Sequence, residues 1–151
     1  MKILVAYDGS PPSEQAIEEV LGRPWPAGTQ VRLVTVVEAP VPAPPPDGAV
    51  YGPLFERMRT CRREEAYRGI QRALEKFKAR PELETSYELR NGSAKRSLLE
   101  AIREWGAELV FTGSHGKGAL ERLVLGSVSH TLVTHAPCSV EVVKDADSPD
   151  G

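Results

Sequence analysis

A short apolar run that leads into a glycine-rich loop is the feature that most restricts the fold of this 151-residue chain. Leu109 to Phe111 form the run, and Thr112 to Gly118 form the loop. Beyond Gly126, apolar residues recur at three- and four-residue steps until Pro137, which is typical of a helix. Ser127 and Ser129 stand where they can cap that helix and also donate hydroxyls to an anion. The stretch therefore predicts a strand, a glycine loop and a helix start, an arrangement that binds phosphates in α/β proteins.

The spacing of the glycines distinguishes this loop from two common nucleotide motifs. A P-loop requires Ser or Thr after its lysine, but a third glycine follows Lys117. The dinucleotide fingerprint has the spacing G-x-G-x-x-G, whereas this loop has G-x-x-G-x-G and occurs late in the chain. The pattern that fits is G-x2-G-x9-G-S, formed by Gly113, Gly116, Gly126 and Ser127.

Strand and helix patterns alternate along the whole chain. Apolar or alternating runs predict five strands, at Lys2–Tyr7, Val31–Val37, Glu84–Leu89, Leu109–Thr112 and Ser139–Val143. Helical stripes predict four helices, one capped by Ser10, one from Leu54 to about Arg80, one capped by Ser93 and one after the glycine loop. We therefore expect a mainly parallel sheet with right-handed crossovers, in a single domain of residues 1–144 with a flexible tail at residues 145–151.

The segment from Glu38 to Pro53 is dominated by proline, at positions 40, 42, 44, 45, 46 and 53. This density predicts an extended, polyproline-like surface loop, since neither a helix nor a central strand accommodates it. The loop leaves the carboxyl end of the second strand, the edge where open α/β sheets bind ligands. A lid, a partner-docking segment and an inert connection are all compatible with this position.

Composition and charge exclude several classes of protein. A formal net charge of −2 and a pI near 6.0 argue against a nucleic-acid-binding face. The apolar run Ile3–Tyr7 is too short for a signal peptide or a membrane span, which predicts a cytoplasmic protein. Cys61 and Cys138 have no CxxC spacing and are expected to be reduced, structural thiols. His130 and His135 lie five residues apart on different helix faces, so they do not form a metal pair.

The glycine–serine spacing, together with the opening Ile3–Ser10 and its D-G-S turn, resembles the ATP-binding branch of the universal stress protein family. The resemblance covers nearly the whole chain, although the proline-rich loop departs from the family pattern. It implies an open, five-stranded, Rossmann-like α/β sheet in the order 3-2-1-4-5 with helices on both faces. Asp8 and Gly113 would then emerge side by side at the point where the strand order reverses.

The resemblance also implies a site for ATP or another adenine nucleotide, accompanied by Mg²⁺ whose protein ligands stay unassigned. Nine residues are expected to contact the nucleotide: Ala6, Asp8, Val36, Thr112, Gly113, Gly116, Gly126, Ser127 and Val128. The first three would border the nucleoside, the next two the ribose and the path to the phosphates, and the last four the phosphates. Asp8 has an alternative interpretation as a cap of the first helix, and His115 as an ordinary loop residue.

Three functions remain open at this point. The first is a stress-response regulator that acts through nucleotide occupancy and an unidentified protein partner. The second is a slow ATPase or nucleotidyl transferase, for which His115 is the one base beside the loop and Asp8 has no acidic companion to hold two metals. The third is a nucleotide-free dimeric adaptor, against which the intact motif argues. No catalytic residue is assigned.

The last predicted strand is Ser139–Val143, and we expect its outer edge to stay uncovered. Exposed edges pair readily with another copy, and a two-fold axis would make that pairing antiparallel. We therefore expect a homodimer in which Val140 and Val142 form an apolar seam. Glu141 would approach its own copy near the axis, and Lys144 or water would have to offset the repulsion.

Overall fold

A computed structural model describes residues 1–39, 52–116 and 125–145. Within these stretches strands and helices follow the order β1 Lys2–Ala6, α1 Pro11–Gly22, β2 Gln30–Val37, α2 Gly52–Phe77, β3 Glu84–Asn91, α3 Ala94–Trp105, β4 Leu109–Gly113, α4 Ser127–His135 and β5 Ser139–Val143. No helix in the described stretches has both the length and the apolar content that a membrane span requires.

The five strands form one parallel sheet in the order β3-β2-β1-β4-β5, which confirms the predicted fold class and strand order. β1 lies in the centre, with Ala6 opposite Val34 of β2 and opposite Thr112 of β4. The chain adds strands on one side of β1 and then on the other, so the connections diverge there. In open α/β sheets this reversal leaves a crevice at the carboxyl ends of the strands.

The core consists of two apolar layers, one on each face of the sheet. Because successive side chains of a strand point to opposite faces, Ile3 and Val5 of β1 enter one layer and Leu4 enters the other. The first layer packs against α1 and α2, and the second packs against α3 and α4. Burial on both faces explains why β1 is an unbroken apolar run in the sequence.

α2 begins earlier than the sequence predicted. Gly52 and Pro53 lie in its first turn, although the prediction assigned both to the proline-rich loop. Proline fits there because the first N–H groups of a helix have no intrahelical partner. The helix ends at Phe77, where the N–H of Arg80 turns back to the Phe77 carbonyl at 2.9 Å. Residues 40–51, which make up most of the predicted loop, lie outside the described residues.

Two predicted helix caps have the right position but not the predicted hydrogen bond. Ser10 and Ser93 are the N-cap residues of α1 and α3, and neither hydroxyl bonds to its helix. The Glu38 carboxylate takes that role at α3, where it accepts the N–H of Ala94 at 2.9 Å. The Ser10 hydroxyl is buried and has no hydrogen-bond partner among the described residues.

β5 is an edge strand and pairs with β4 alone in the described sheet. Val143 is buried in the first core layer, and Val140 packs partly against the second. Glu141 was expected to depend on Lys144 or water, but Arg23, the residue that follows α1, binds it, with Nη1 donating to Oε2 at 2.7 Å. The carboxylate therefore already has a cationic partner within its own chain.

Candidate functional site

A cavity of about 740 Å³ opens above the carboxyl ends of β1, β2 and β4. All nine residues that the sequence analysis selected line it: Ala6, Asp8, Val36, Thr112, Gly113, Gly116, Gly126, Ser127 and Val128. They come from β1, β2, β4, the glycine loop and α4, and the strand order brings them together at the reversal point. The volume lies within the range of small-molecule and cofactor sites.

Asp8 lies at the turn that follows β1 and reaches toward the glycine loop. Its Oδ1 accepts the N–H of Ser10 at 2.9 Å, so part of its role is to fix the entry into α1. The turn depends on Gly9, whose φ of 75° is in the left-handed region that glycine adopts readily. The other oxygen, Oδ2, would lie 2.8 Å from a Cβ at Gly116. Asp8 therefore serves the helix start and also faces the loop after β4.

Gly113 ends β4 directly against the first turn of α1. A Cβ at this position would lie 2.8 Å from the Cβ of Pro12 and 3.0 Å from the backbone nitrogen of Ser13. Real Cβ atoms essentially never approach other atoms so closely, and the backbone of a helix turn cannot move aside easily. Close helix–strand packing is thus sufficient to explain the glycine, independently of any ligand.

The N-terminus of α4 differs in detail from the prediction. Gly126 is the N-cap and Ser127 is the first helical residue, so neither Ser127 nor Ser129 caps the helix. The buried Ser129 hydroxyl donates to the Ser114 carbonyl at 2.9 Å instead. Ser127 is exposed and lines the cavity. The first N–H groups of α4, which lack intrahelical partners, together with its helix dipole, make this end of the cavity attractive to an anion.

The comparisons with known proteins agree with this geometry. The profile of the "Universal stress protein family" matches residues 1–144. A relative from Staphylococcus epidermidis that carries the universal stress protein name is 30% identical over 149 residues, covering 98% of this chain and 86% of the relative. This chain belongs to the universal stress protein family.

Solved structures of other family members share the fold. The universal stress protein UspA from Lactobacillus plantarum superposes with a TM-score of 0.81 at 20% identity, covering 95% of this chain and 97% of that one. An Arabidopsis thaliana member, solved with AMP bound, gives a TM-score of 0.67 at 16% identity and covers 100% of this chain and 96% of that one. At these identities the likeness establishes the fold of this universal stress protein.

One wall of the cavity in this family member was missed by the sequence analysis. It is formed by α2 residues that the sequence analysis did not assign to the site: Arg62, Glu65, Ala66, Gly69 and Arg72. Two of them, Arg62 and Ala66, continue the spacing of the buried stripe Ile70, Ala73 and Phe77 toward the N-terminus of α2. This spacing could have been recognised in the sequence, because residues in step with a buried stripe lie on the same face of the helix. Beyond the end of the sheet, that face borders the site.

A polar network supports the floor of the cavity on the α2 side. The Tyr7 hydroxyl donates to the Glu14 carboxylate, and Lys76 Nζ lies 2.9 Å from Glu14 Oε2. Burial and the hydrogen bond to Glu14 raise the pKa of Tyr7 well above its usual range. Burial also tends to raise the pKa of Glu14, but the hydrogen bonds from Tyr7 and Lys76 outweigh it and lower that pKa. Both groups thus remain in their ordinary states at neutral pH, and the network joins the residue that follows β1 to α1 and α2.

The remaining candidates provide little for metal chemistry. No three His, Cys, Asp or Glu side chains gather as a metal site in residues 1–39, 52–116 and 125–145. His115 lines the cavity, with Nδ1 3.1 Å from the Ser114 hydroxyl, and Lys117 lies outside the described residues.

Both cysteines are free thiols. Cys61 is exposed, and burial raises the pKa of the half-buried Cys138.

Proposed function

We propose that this universal stress protein binds an adenine nucleotide, with ATP as the leading candidate, and that occupancy of the site regulates its interaction with a partner protein in the stress response. The observation that carries the proposal is the convergence of the glycine–serine set with Asp8 and Val36 on one cavity at the strand-order reversal. The AMP found in the Arabidopsis relative supports an adenine nucleotide as the ligand class.

The end of β2 suits the base. Val34 accepts the N–H of Tyr7 through its carbonyl, so the peptide groups of Val34 point toward β1. Peptide groups alternate along a strand, and those of Val36 therefore also point to the β1 side. β1 ends at Ala6, opposite Val34, so Asp8, the counterpart of Val36 in this register, lies two positions past the end of β1. Val36 can thus offer an N–H and a carbonyl to the adenine edge, which presents the N1 acceptor and the N6 amino donor.

The loop and α4 suit the phosphates. The Ser127 hydroxyl and the first N–H groups of α4 supply donors, and the helix dipole favours negative charge there. Mg²⁺ usually binds nucleotides through their phosphates and one or two carboxylates, and Asp8 is a cavity-lining carboxylate that faces the loop. When bound, Mg²⁺ would neutralise part of the phosphate charge.

β5 lies at the edge of the sheet that the described residues form, and this position supports a homodimer as part of the proposal. The Val143 carbonyl accepts the N–H of Ser114, so the peptide groups of Val143 face β4. By alternation those of Val142 and Val140 face the open edge, where a second copy can pair with them in antiparallel orientation. The pairing of Glu141 with Arg23 offsets part of the charge repulsion that would oppose this arrangement.

Two measurements test the nucleotide proposal. Mass spectrometry of the small molecules released from the purified, denatured protein should find an adenine nucleotide, and calorimetry should detect ATP binding. Gly116→Val should abolish binding, because a branched side chain would enter the space between the loop and Asp8. Ser127→Ala should weaken binding about tenfold to a hundredfold, the loss of one charge-assisted hydrogen bond of about 1.5–3 kcal/mol.

Gly22→Ala is the matched control, since no atom lies within 4 Å of a Cβ at that position and it is outside the cavity. It should bind ATP like the parent. ATP binding of parental strength by Gly116→Val would remove the site from this loop, and a parent that binds no adenine nucleotide would refute the proposed function.

A further inference from the structure

Ser114 is a buried hydrogen-bond centre between β4 and α4 that the proposed contacts with the nucleotide do not use. Its N–H donates to the Val143 carbonyl at 2.7 Å, which anchors the residue to β5. Its carbonyl accepts the N–H of Gly126 at 2.6 Å and the Ser129 hydroxyl at 2.9 Å. Both lone pairs of this carbonyl are therefore bound by groups from the start of α4.

The two ends of the glycine loop are in direct contact at this centre. A Cβ at Gly126 would lie 3.1 Å from the His115 Cα and 3.1 Å from the Ser114 oxygen. Such spacing is tighter than nine in ten real Cβ contacts, so glycine allows the closest approach of the two segments. The loop that begins after Ser114 is thus closed, by backbone contact and hydrogen bonds, where α4 starts.

The Ser129 hydroxyl bridges both sides of this closure. Besides the Ser114 carbonyl, it lies 3.0 Å from the Gly126 carbonyl, so its one hydrogen is shared between two acceptors. Ser129 borders the cavity but is only 2% exposed, and the two carbonyls within the protein are the partners of its hydroxyl. Gly126, in turn, immediately precedes Ser127, whose hydroxyl lines the cavity.

We propose that Ser129 is a positioning residue, whose hydroxyl holds the first turn of α4 against Ser114 and so keeps Ser127 and the helix N–H groups directed at the nucleotide phosphates. The inference rests on the proposed function and adds to it how the phosphate end is preorganised. We call the hydrogen bonds that join Ser129 and Gly126 to the Ser114 carbonyl the Ser114 clasp. Ala6 and Val36, at the nucleoside end, lie on β1 and β2 and take no part in the Ser114 clasp. Loss of the hydroxyl should therefore weaken phosphate binding and spare the nucleoside.

The test compares Ser129→Ala, Ser129→Thr and the parent by calorimetry with ATP and, by competition, with adenosine. Ser129→Ala should bind ATP about threefold to tenfold more weakly, as expected for one neutral hydrogen bond, while adenosine affinity stays unchanged. Ser129→Thr keeps the hydroxyl and should restore ATP affinity. Ser97→Ala is the matched control, because Ser97 is also a buried serine of a helix but does not line the cavity.

The hydrogen-exchange rate of the Gly126 amide, measured without ligand, reports how stable the Ser114 clasp is, independently of any nucleotide. It should be faster in Ser129→Ala and parental in Ser97→Ala. An unchanged exchange rate in Ser129→Ala would show that the Ser129 hydroxyl does not hold α4 against Ser114. Faster exchange with parental ATP affinity would show that the hydroxyl stabilises the structure but does not position the phosphate donors. An equal loss for ATP and adenosine would indicate a general disturbance of the site. A parent that binds neither ligand would instead refute the proposed function.

Discussion

The contact of Gly113 with α1 predicts a stability loss that its sequence motif alone does not reveal. In Gly113→Ala the new Cβ would meet Pro12 at 2.8 Å and the Ser13 nitrogen at 3.0 Å, and these atoms belong to a helix turn rather than to a mobile side-chain end. Overpacking of this kind costs about 1–3 kcal/mol. The lower entropy of the unfolded chain returns about 0.4–1 kcal/mol. A net loss of about 1.5 kcal/mol should lower Tm by about 3–6 °C in a domain of this size.

Alanine substitutions at two other glycines serve as controls for the stability of Gly113→Ala. In Gly116→Ala the nearest atom is the carboxylate end of Asp8 rather than helix backbone, so we expect a smaller loss of stability than in Gly113→Ala. Gly22→Ala meets open space at the end of α1 and should gain up to about 1 kcal/mol. Urea unfolding with a common m-value measures all three. If Gly113→Ala were as stable as Gly116→Ala, the helix–strand contact would not explain this glycine.

Three further predictions concern chemistry, assembly and pH. Bound ATP should turn over well below ~1 s⁻¹, and phosphate release at several per second that disappears in His115→Ala would instead favour an enzyme. Val142→Pro, which removes an N–H directed at the open edge, should yield monomers in light scattering, while a dimer of unchanged affinity would place the interface elsewhere. The lowered pKa of Glu14 contributes stability above about pH 4.3 that is lost as the pH falls through the lower folded value. Glu14→Gln should therefore lose less stability than the parent between pH 5 and pH 3 in urea unfolding.

Much of the fold could be predicted because its signals are local. Apolar runs, and a weakly alternating pattern at β3, located all five strands within one or two residues, and strict β–α alternation implies a parallel sheet. The strand order came from the family resemblance, since alternation alone does not say which strand lies beside β1. The start of α2 was missed because a high proline content was interpreted as incompatible with a helix, whereas Pro53 lies in the first turn, where proline is favoured.

Contacts between distant segments were the part that the sequence could not provide. Arg23 and Glu141 are 118 residues apart, and nothing in either neighbourhood indicates that the residue after α1 delivers a guanidinium to β5. The capping role of Glu38 at α3 is similar, because a serine at the N-cap position is the better local candidate. In both cases a side chain that is distant in the sequence makes the hydrogen bond that was expected from a neighbouring residue.

The positions of the G-x2-G-x9-G-S motif are occupied by small residues for different physical reasons. Gly113 accommodates α1, Gly116 leaves room for Asp8, and Gly126 allows the approach of Ser114. Among the motif residues, only Ser127 presents a side-chain hydroxyl to the cavity. The motif is therefore evidence first for a closely packed crevice and second for a phosphate ligand. It follows that glycine substitutions alone cannot distinguish a binding defect from a packing defect, whereas Ser127→Ala, which leaves the backbone contacts intact, can.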